Sequence, residues 1–363
     1  MKKILSLVMA ALMVSSLLSG CGSKGVSTLD KKKYPNGEVT VLNWGEYISN
    51  GEDGSINTCK EFEKQYGIKV NYKTCSDNET LYSILSGGGS DYDVIIPSDY
   101  MISRLIQEKK LEKLDFKNIP NAKDLDSTFV KPIYDPTGEY SVPYMWGTVG
   151  IIYNTKMVKD KITSWGDLFS KKYKDEVLMI NNPRDAIGVA LKYLGYSYNT
   201  TNKKQIKKAT DLLIKQKKSG VVQAYVMDEI FDKLESGEAA IGVYYAGDYL
   251  TMLENNPDLA FVVPKEGSNY FVDAMCVPKG ASNKINAEKF INFMCSKRIG
   301  VANCEAIGYS TPLKSVKAAL PKDVREDSVA YPSAQTLAKC EQFVNLPEKV
   351  LEFYDSEWLR LKV

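Results

Sequence analysis

Histidine is absent from the 363 residues of this chain, which removes the commonest general base and the commonest metal ligand of proteins. Catalysis by Ser-His-Asp or Cys-His groups, zinc sites of the HExxH type and iron sites that need two histidines are therefore excluded. The chain also has no phosphate-binding P-loop. Its most glycine-rich stretch, Ser86-Gly87-Gly88-Gly89-Ser90, has neither the lysine nor the spacing of such a loop.

The chain has little net charge, because 47 basic and 45 acidic residues leave a formal charge of +2. Such a chain has no overall field that attracts nucleic acid, and no basic stripe runs along it. The lysine-rich segment 203–217 has apolar residues at helical spacing, so its charges form the solvated face of a helix. We expect no nucleic-acid partner.

Cysteine is infrequent, and none of the seven cysteines belongs to a CxxC pair. Without histidine, a zinc site would need four cysteines gathered by the fold. Six cysteines follow residue 21, an even number that permits disulfides, but a core of this size needs no covalent support. We therefore expect free buried thiols and no metal or other cofactor. The six are Cys59, Cys75, Cys276, Cys295, Cys304 and Cys340.

A long apolar run lies at 4–18, directly after Lys2 and Lys3. The run is too short for an ordinary membrane span, and its charged start is typical of a secretory signal. It ends in Leu18-Ser19-Gly20-Cys21, which resembles the lipobox of bacterial lipoproteins. A plain secretory signal with an incidental cysteine is the alternative.

The lipobox-like ending predicts a lipoprotein signal peptide at 1–20 and a lipid on Cys21. Residues 21–36 are rich in glycine, serine and lysine and have no helical or strand period, so we predict a tether there. The protein would then be anchored by lipid to the cell membrane, on its extracytoplasmic face.

Beyond residue 37, strand-like and helix-like segments alternate. Strands are predicted at 39–43, 68–72, 92–97, 140–153, 177–180, 221–225, 239–245, 261–264 and 269–275. Helices are predicted at 55–66, near 81–85 and 102–106, and at 187–194, 203–217, 228–236, 287–295, 298–306 and 348–361. This order is typical of an α/β fold in which helices cover a parallel or mixed sheet. We place a crossing into a second lobe near 146–149 and expect the strand at 269–275 to carry the chain back.

Acidic and aromatic side chains recur where these strands end. Ligands of open α/β sheets bind just beyond the carboxyl ends of the strands, so these positions are candidate site residues. In Asn43-Trp44-Gly45-Glu46-Tyr47, for example, two aromatic residues and a carboxylate surround a glycine. The full set is Trp44, Glu46, Tyr47, Ser98, Tyr100, Asp185, Tyr245, Asp248, Phe271, Asp273 and Tyr309.

Carboxylates and aromatic rings together suit a linear polyamine. Carboxylates accept charged hydrogen bonds from ammonium groups, while ring faces attract cations and cover methylene groups. An anion site would instead need arginine, and only Arg184 stands among these residues. Taken singly, each residue has an ordinary structural role as half-buried packing or as a helix N-cap. Their recurrence at several strand ends is what indicates a site.

Five motifs at these positions resemble one known family. They are Asn43-Trp44-Gly45-Glu46-Tyr47, Pro97-Ser98-Asp99-Tyr100, Val142-Pro143-Tyr144-Met145-Trp146-Gly147, Ala246-Gly247-Asp248 and Ile307-Gly308-Tyr309-Ser310-Thr311-Pro312. Over 38–362 the chain is similar to the spermidine/putrescine-binding proteins of bacterial ABC importers. The resemblance implies a non-enzymatic receptor that delivers a polyamine to a membrane permease and its ATPase.

The same resemblance implies the fold called periplasmic binding protein-like II. In this α/β fold, two lobes with mixed or parallel sheets flanked by helices are joined by crossing hinge strands. The first lobe would comprise 37–147 plus 273–316, and the second lobe 148–272 plus 317–363. Polyamine binds between the lobes of such proteins.

The resemblance also implies a role for each candidate residue. The rings that would face the methylene chain are Trp44, Tyr245 and Phe271. The acids that would take the amines are Asp185, Asp248 and Asp273. Further hydrogen bonds would come from Tyr47, Ser98, Tyr100 and Tyr309. Glu46 matches an acid of putrescine binders.

This chain departs from the spermidine-binding members of the family at several positions. Those members tend to have tryptophan in place of Tyr245 and Phe271, an acid in place of Asn182, and serine in place of Met227. The Ala246-Gly247-Asp248 triplet is more typical of putrescine binders. The preferred polyamine therefore stays open.

Other functions stay open on the residues alone. The same fold can serve another ligand, such as thiamine, an amino-sugar or ferric iron, although an iron site has no use for a tryptophan cover. A surface hydrolase with an Asp/Glu pair and a peptide-binding adhesin come from other classes. For a polyamine site, we expect the acids to be ionised at neutral pH and binding to weaken at acid pH.

Overall fold

The computed structural model describes residues 29–87 and 91–363. The predicted signal peptide, the lipidation at Cys21 and the first part of the predicted tether lie outside these residues. Within the described ranges, no helix is long and apolar enough to cross a membrane.

The strands of the described residues belong to one sheet. They are β1 Glu38–Asn43, β2 Lys69–Thr74, β3 Val94–Ile95, β4 Ser141–Asn154, β5 Val177–Ile180, β6 Val222–Val226, β7 Ile241–Tyr245, β8 Leu259–Val262 and β9 Tyr270–Cys276. Their order is β2-β1-β3-β9-β4-β7-β5-β6, with β8 paired to β4. β1 is parallel to β2 and β3, and β5 is parallel to β6 and β7, whereas β4 and β9 are antiparallel to their neighbours.

Helices cover the sheet. They are α1 Thr58–Tyr66, α2 Asn78–Ser86, α3 Asp99–Gln107, α4 Pro183–Tyr193, α5 Lys203–Lys218, α6 Ile230–Glu235, α7 Ala246–Asn255, α8 Lys284–Met294, α9 Lys297–Ile307, α10 Lys314–Ala319, α11 Lys322–Arg325, α12 Ala334–Leu337 and α13 Glu348–Lys362. The predicted α/β fold with a mixed sheet between helices is confirmed.

The core is divided, and the division defines two lobes. In the first lobe, alternate residues of β1 pack on opposite faces of the sheet, so that Val39 and Val41 face one apolar cluster and Leu42 faces another. These clusters also contain residues of β3, β9, α1–α3 and α8–α10. The second lobe has one cluster, built from β5–β8, α4–α7 and α13.

Strand β4 runs through both lobes. Its residues Ser141–Thr148 pair with β9, whereas Val149–Tyr153 pair with β7 and Ile151–Asn154 pair with β8. The strand therefore changes partners between Thr148 and Val149, within the segment where the sequence predicts a crossing.

The chain also passes between the lobes near its C-terminal end. Leu320 and Leu337 pack on the first-lobe clusters, whereas Leu346 and Val350 pack on the second-lobe cluster. Val329 also packs on the second-lobe cluster, so the segment 320–346 contacts both lobes before the chain ends in the second lobe.

Helix α7 is an element that the sequence patterns did not predict. No side chain caps its N-terminus, and its second residue is Gly247, so the local helix signals are weak. Tyr249 and Met252 are buried in the second-lobe cluster. Tertiary packing therefore stabilises this helix.

The six cysteines of the described residues are free thiols. Cys276, Cys295 and Cys304 are buried, and the other three are partly buried.

Candidate ligand-binding site

Two of the candidate acids occupy equivalent positions in two helices. Asp185 is the third residue of α4, which follows β5, and Asp248 is the third residue of α7, which follows β7. β5 and β7 are parallel neighbours, so both helices begin at the same edge of the sheet. The N-terminus of a helix favours a negative charge, and both carboxylates lie in that first turn.

The third acid, Asp273, reaches the same region from β9. Tyr47, which follows β1, donates a hydrogen bond from its hydroxyl to Asp273 Oδ2 at 2.7 Å. Ser98 forms an isolated β-bridge with Asp273 and accepts a hydrogen bond from Asn78 Nδ2 at 3.0 Å. The segments that follow β1 and β3 thus meet the middle of β9 at this carboxylate.

Each of the three acids is paired with a tyrosine hydroxyl. Besides the Tyr47–Asp273 pair, Tyr309 donates to Asp248 Oδ2 at 2.9 Å, and Tyr245 donates to Asp185 Oδ2 at 3.3 Å. Tyr309 packs with the first lobe and Asp248 belongs to the second, so this pair joins the lobes. We call these the three Asp–Tyr pairs.

No cation balances the three acids within the described ranges. None of them has a lysine or arginine nitrogen within ion-pair distance. Asp185 Oδ1 and Asp273 Oδ1 are buried and have no hydrogen-bond partner. Buried polar atoms are normally paired, so two free carboxylate oxygens in one region indicate a place for an external donor.

Burial raises the pKa of all three acids from the ordinary value of 3.8. It raises the pKa of Asp185 and of Asp248 to about 7, and that of Asp273 to about 6. The neighbouring Arg184 charge and the tyrosine hydroxyls lower these values only in part. Burial thus brings the pKa of each of these acids close to neutral pH, where protons compete with a cationic partner.

Aromatic rings lie next to these acids and contact one another. The ring centroids of Tyr245 and Phe271 are 5.4 Å apart, those of Phe271 and Tyr309 are 6.1 Å apart, and those of Tyr47 and Tyr309 are 5.3 Å apart. These distances are typical of edge-to-face contacts. The four rings and three acids form one connected cluster.

Arg184 is adjacent to Asp185 in sequence but forms no ion pair with it. Its guanidinium donates to Asn199 Oδ1 at 3.2 Å and to the Val344 carbonyl at 3.4 Å. It also lies 4.4 Å from the ring centroid of Phe343. The arginine therefore holds the C-terminal segment and leaves Asp185 free to accept from a ligand.

The other candidate residues lie around this cluster. Trp44 is partly buried against both first-lobe clusters. Tyr100 donates its hydroxyl to Glu79 Oε1 at 2.9 Å. Glu46 is exposed and lines a groove of about 1390 Å³ that also touches Tyr309. The structure thus joins seven of the eleven candidates directly, sets Ser98 beside Asp273, and leaves the other three at the margin.

Asp228 and Glu79 are among the acids near the cluster that are absent from the sequence-based set. Asp228 accepts from the Tyr244 hydroxyl at 2.9 Å, and its charge raises the pKa of Asp248. It follows β6 by two residues, so the strand-end rule applied to β6 would have found it. Glu79, the partner of Tyr100, lies inside α2, and no local signal marks it.

Comparisons with known proteins agree on one family. A family model described as bacterial extracellular solute-binding protein matches residues 57–332. The spermidine/putrescine-binding periplasmic protein of Salmonella typhimurium is 34% identical over 308 residues, which are 84% of this chain and 86% of that protein.

Solved structures give the same result. The spermidine/putrescine ABC transporter substrate-binding protein PotD of Streptococcus pneumoniae has a TM-score of 0.78 at 34% identity, covering 90% of this chain and 98% of that one. The TpPotD lipoprotein of Treponema pallidum has a TM-score of 0.80 at 27% identity, covering 89% of this chain and 99% of that one.

Proposed function

The chain belongs to the bacterial extracellular solute-binding proteins, and we propose that its solute is a polyamine, putrescine or spermidine, delivered to an ABC importer. It is a transport receptor and not an enzyme, as its relatives are binding proteins. Its partners in this role are the permease and ATPase subunits of the importer.

One observation carries the choice of ligand, namely the three Asp–Tyr pairs without a balancing cation. A buried carboxylate that lacks a positive partner is unfavourable in the empty protein. The ammonium groups of a polyamine supply both the charge and the hydrogen-bond donors that Asp185 Oδ1 and Asp273 Oδ1 lack. A neutral sugar or an anion would leave these acids uncompensated.

The aromatic rings suit the rest of a polyamine. In this proposal Tyr245 and Phe271 cover the methylene chain between two amines, and Trp44 covers it from the end of β1. Tyr47 and Tyr309 orient the acids through their hydroxyls. Ser98, Tyr100 and Glu46 contribute at the margin of the site, Glu46 from the groove.

Ligand capture would proceed by closure of the two lobes. Asp248 belongs to the second lobe, whereas Tyr309 and Tyr47 belong to the first, so a ligand among them contacts both. A ligand that binds the closed form better than the open form shifts the equilibrium toward closure. We propose that the hinge comprises β4 near 148–149, the start of β9, and the segment 338–346.

We also propose that the protein is held at the membrane by a lipid on Cys21. The lipobox-like Leu18-Ser19-Gly20-Cys21 supports this proposal. The relative from Treponema pallidum is itself described as a lipoprotein.

A ligand screen tests the proposed function. The chain beginning at residue 29 would be purified empty and heated with putrescine, spermidine, spermine, thiamine, an amino-sugar or Fe(III). A ligand at about one hundred times its Kd should add about 2.7 kcal/mol to the free energy of unfolding. We expect that increase with putrescine or spermidine. A stabilisation by thiamine, the amino-sugar or iron alone would reject the polyamine proposal.

Two variants connect the screen to the site. Asp273→Asn and Trp44→Ala should each abolish the stabilisation by polyamine. Because Asp273→Asn removes an unpaired buried charge, its empty form should unfold at the same or a higher temperature than the wild type. The matched control is Asp232→Asn, an exposed acid on α6, which should leave the polyamine response unchanged.

A further inference from the structure

The two lobes touch closely where α9 ends and α7 begins. Gly308 ends α9 with a left-handed φ of 70°, and the next residue, Tyr309, lays its ring on Gly247 of α7. The Tyr309 hydroxyl then reaches Asp248, the neighbour of Gly247. We call the group of Gly247, Asp248, Gly308 and Tyr309 the closing contact.

The closing contact leaves no room for a side chain at position 247. A Cβ atom on Gly247 would lie 2.2 Å from Cδ2 and 2.3 Å from Cε2 of the Tyr309 ring. A Cβ atom on Gly308 would lie 3.0 Å from the carbonyl oxygen of Gly247. Both glycines thus allow the backbone of one lobe to approach the other.

Backbone conformation does not require glycine at position 247. Among the described glycines with positive φ, Gly308 appears and Gly247 does not, so any L-residue can adopt its helical backbone. Alanine also forms helices better than glycine does. The advantage of glycine at this position is therefore the space it leaves for Tyr309.

We infer that Gly247 is a positioning residue for ligand binding, which lets Tyr309 seat against the second lobe and hold its hydroxyl on Asp248. This inference rests on the proposed polyamine function. A methyl group at 247 would push the Tyr309 ring away from α7, separate the hydroxyl from Asp248 and oppose closure of the lobes. The ligand would then leave faster.

A double-mutant cycle tests the inference by measuring polyamine Kd and dissociation rate. We expect Gly247→Ala to weaken binding about tenfold or more when Tyr309 is present. In the Tyr309→Ala background, Gly247→Ala should leave the polyamine Kd almost unchanged, because no ring remains to collide with the methyl group. In the Tyr309→Phe background it should still weaken binding, because the ring remains.

The same variants separate this inference from the proposed function. Small-angle scattering of the empty protein should show that Gly247→Ala is more open than wild type, whether or not any polyamine binds. A wild type that binds no polyamine would reject the proposed function alone. Equal scattering and equal binding of wild type and Gly247→Ala would overturn the inference alone.

Thermal unfolding of the proteins without ligand shows whether each variant is folded. Should Gly247→Ala fail to fold, the double variant Gly247→Ala/Tyr309→Ala, which has no clash, decides the question. We expect its Kd to equal that of Tyr309→Ala. A Kd at least tenfold higher than that of Tyr309→Ala would overturn the inference.

Discussion

At the scale of single residues, the site depends on acids that the fold buries without a counter-charge. In Asp185 and in Asp273, one carboxylate oxygen accepts a hydrogen bond from a tyrosine hydroxyl, and the other oxygen has no hydrogen-bond partner. The unfavourable burial appears as pKa values of about 7 and about 6. Strongly shifted acids of this kind cluster at functional sites, because a ligand can relieve the cost.

We predict that affinity for putrescine falls as the pH is lowered from about 8 to about 5, because protons compete with ammonium groups for these carboxylates. The decline should begin near pH 7, where burial sets the pKa of Asp185 and Asp248 to about 7, and steepen near the value of about 6 for Asp273. Each proton displaced steepens the decline by up to about tenfold per pH unit. Calorimetric titration across this range measures both affinity and proton release.

The same raised pKa values make the empty protein more stable at low pH, whereas they make polyamine binding weaker there. Between the ordinary pKa of 3.8 and the raised value of about 7, the folded state holds more protons than the unfolded state. The contribution of these acids to stability is therefore present at low pH and is lost as the pH rises through this window. Asp248→Asn should weaken the pH dependence of polyamine affinity and the pH dependence of the stability of the empty protein. An affinity that stays constant from about pH 8 to about pH 5 would contradict the assignment of these acids.

At the scale of secondary structure, the first turn of a helix positions each of two acids. Asn182 caps α4, and its side-chain oxygen accepts from the backbone nitrogen of Arg184 at 3.0 Å and of Asp185 at 3.4 Å. The start of α7 has no side-chain cap, and the closing contact holds Asp248 instead. Local sequence positions the first acid, and tertiary contact positions the second.

We predict that Asn182→Ala lowers the free energy of unfolding by about 1 kcal/mol, the usual cost of a lost N-cap. It should also weaken polyamine binding about tenfold, because the turn that holds Asp185 loosens. Chemical unfolding and calorimetry measure the two effects. The matched control is Asn202→Ala, which removes the cap of α5 at Lys204 and should lower stability without changing affinity.

The substitution Asn182→Asp separates the cap from the charge. Aspartate caps a helix as well as asparagine does, so stability should be kept. The added acid should raise affinity for spermidine relative to putrescine, since the family resemblance implies that spermidine binders tend to have an acid at this position. An Asn182→Ala protein that binds as tightly as the wild type would argue against a role for the cap.

At the scale of the whole molecule, the proposed receptor role rests on closure of two lobes and on the proposed lipid anchor. The formal charge of +2 supplies no long-range attraction for a cationic ligand. The proposed capture of a polyamine therefore rests on the local acids and on closure of the lobes. A lipid on Cys21 would keep the captured polyamine beside the importer.

We predict that Cys21→Ser releases the protein from the membrane, because the cysteine thiol is the group that carries the lipid. Labelling with a clickable fatty acid and partition into Triton X-114 measure the change. The purified variant should bind polyamine as the wild type does. Cys340→Ser, at a partly buried cysteine, is the matched control and should keep the label. A Cys21→Ser protein that stays labelled would contradict the anchor.

Much of the fold could be predicted because its signals are local. The strands predicted at 39–43 and 177–180 and the helix predicted at 203–217 are found in the structure with nearly the same bounds. The strand-end rule also led to the three acids of the Asp–Tyr pairs, although Asp273 lies within β9 and not at its end. The prediction failed for α7, where neither cap nor propensity marks the helix and packing on the second lobe decides.

The sequence by itself determined which side chains stand at the ends of the strands, because strand periodicity is a property of neighbouring residues. Only the tertiary structure decided how they pair. Asp273 accepts a hydrogen bond from Tyr47, which lies 226 residues away in the sequence, and the Arg184 guanidinium packs on the Phe343 ring and forms no ion pair with Asp185. Burial by several distant elements raises the pKa of the acids, and packing between lobes seats Tyr309 on Gly247. These properties depend on what surrounds a residue in space, and no local pattern records that.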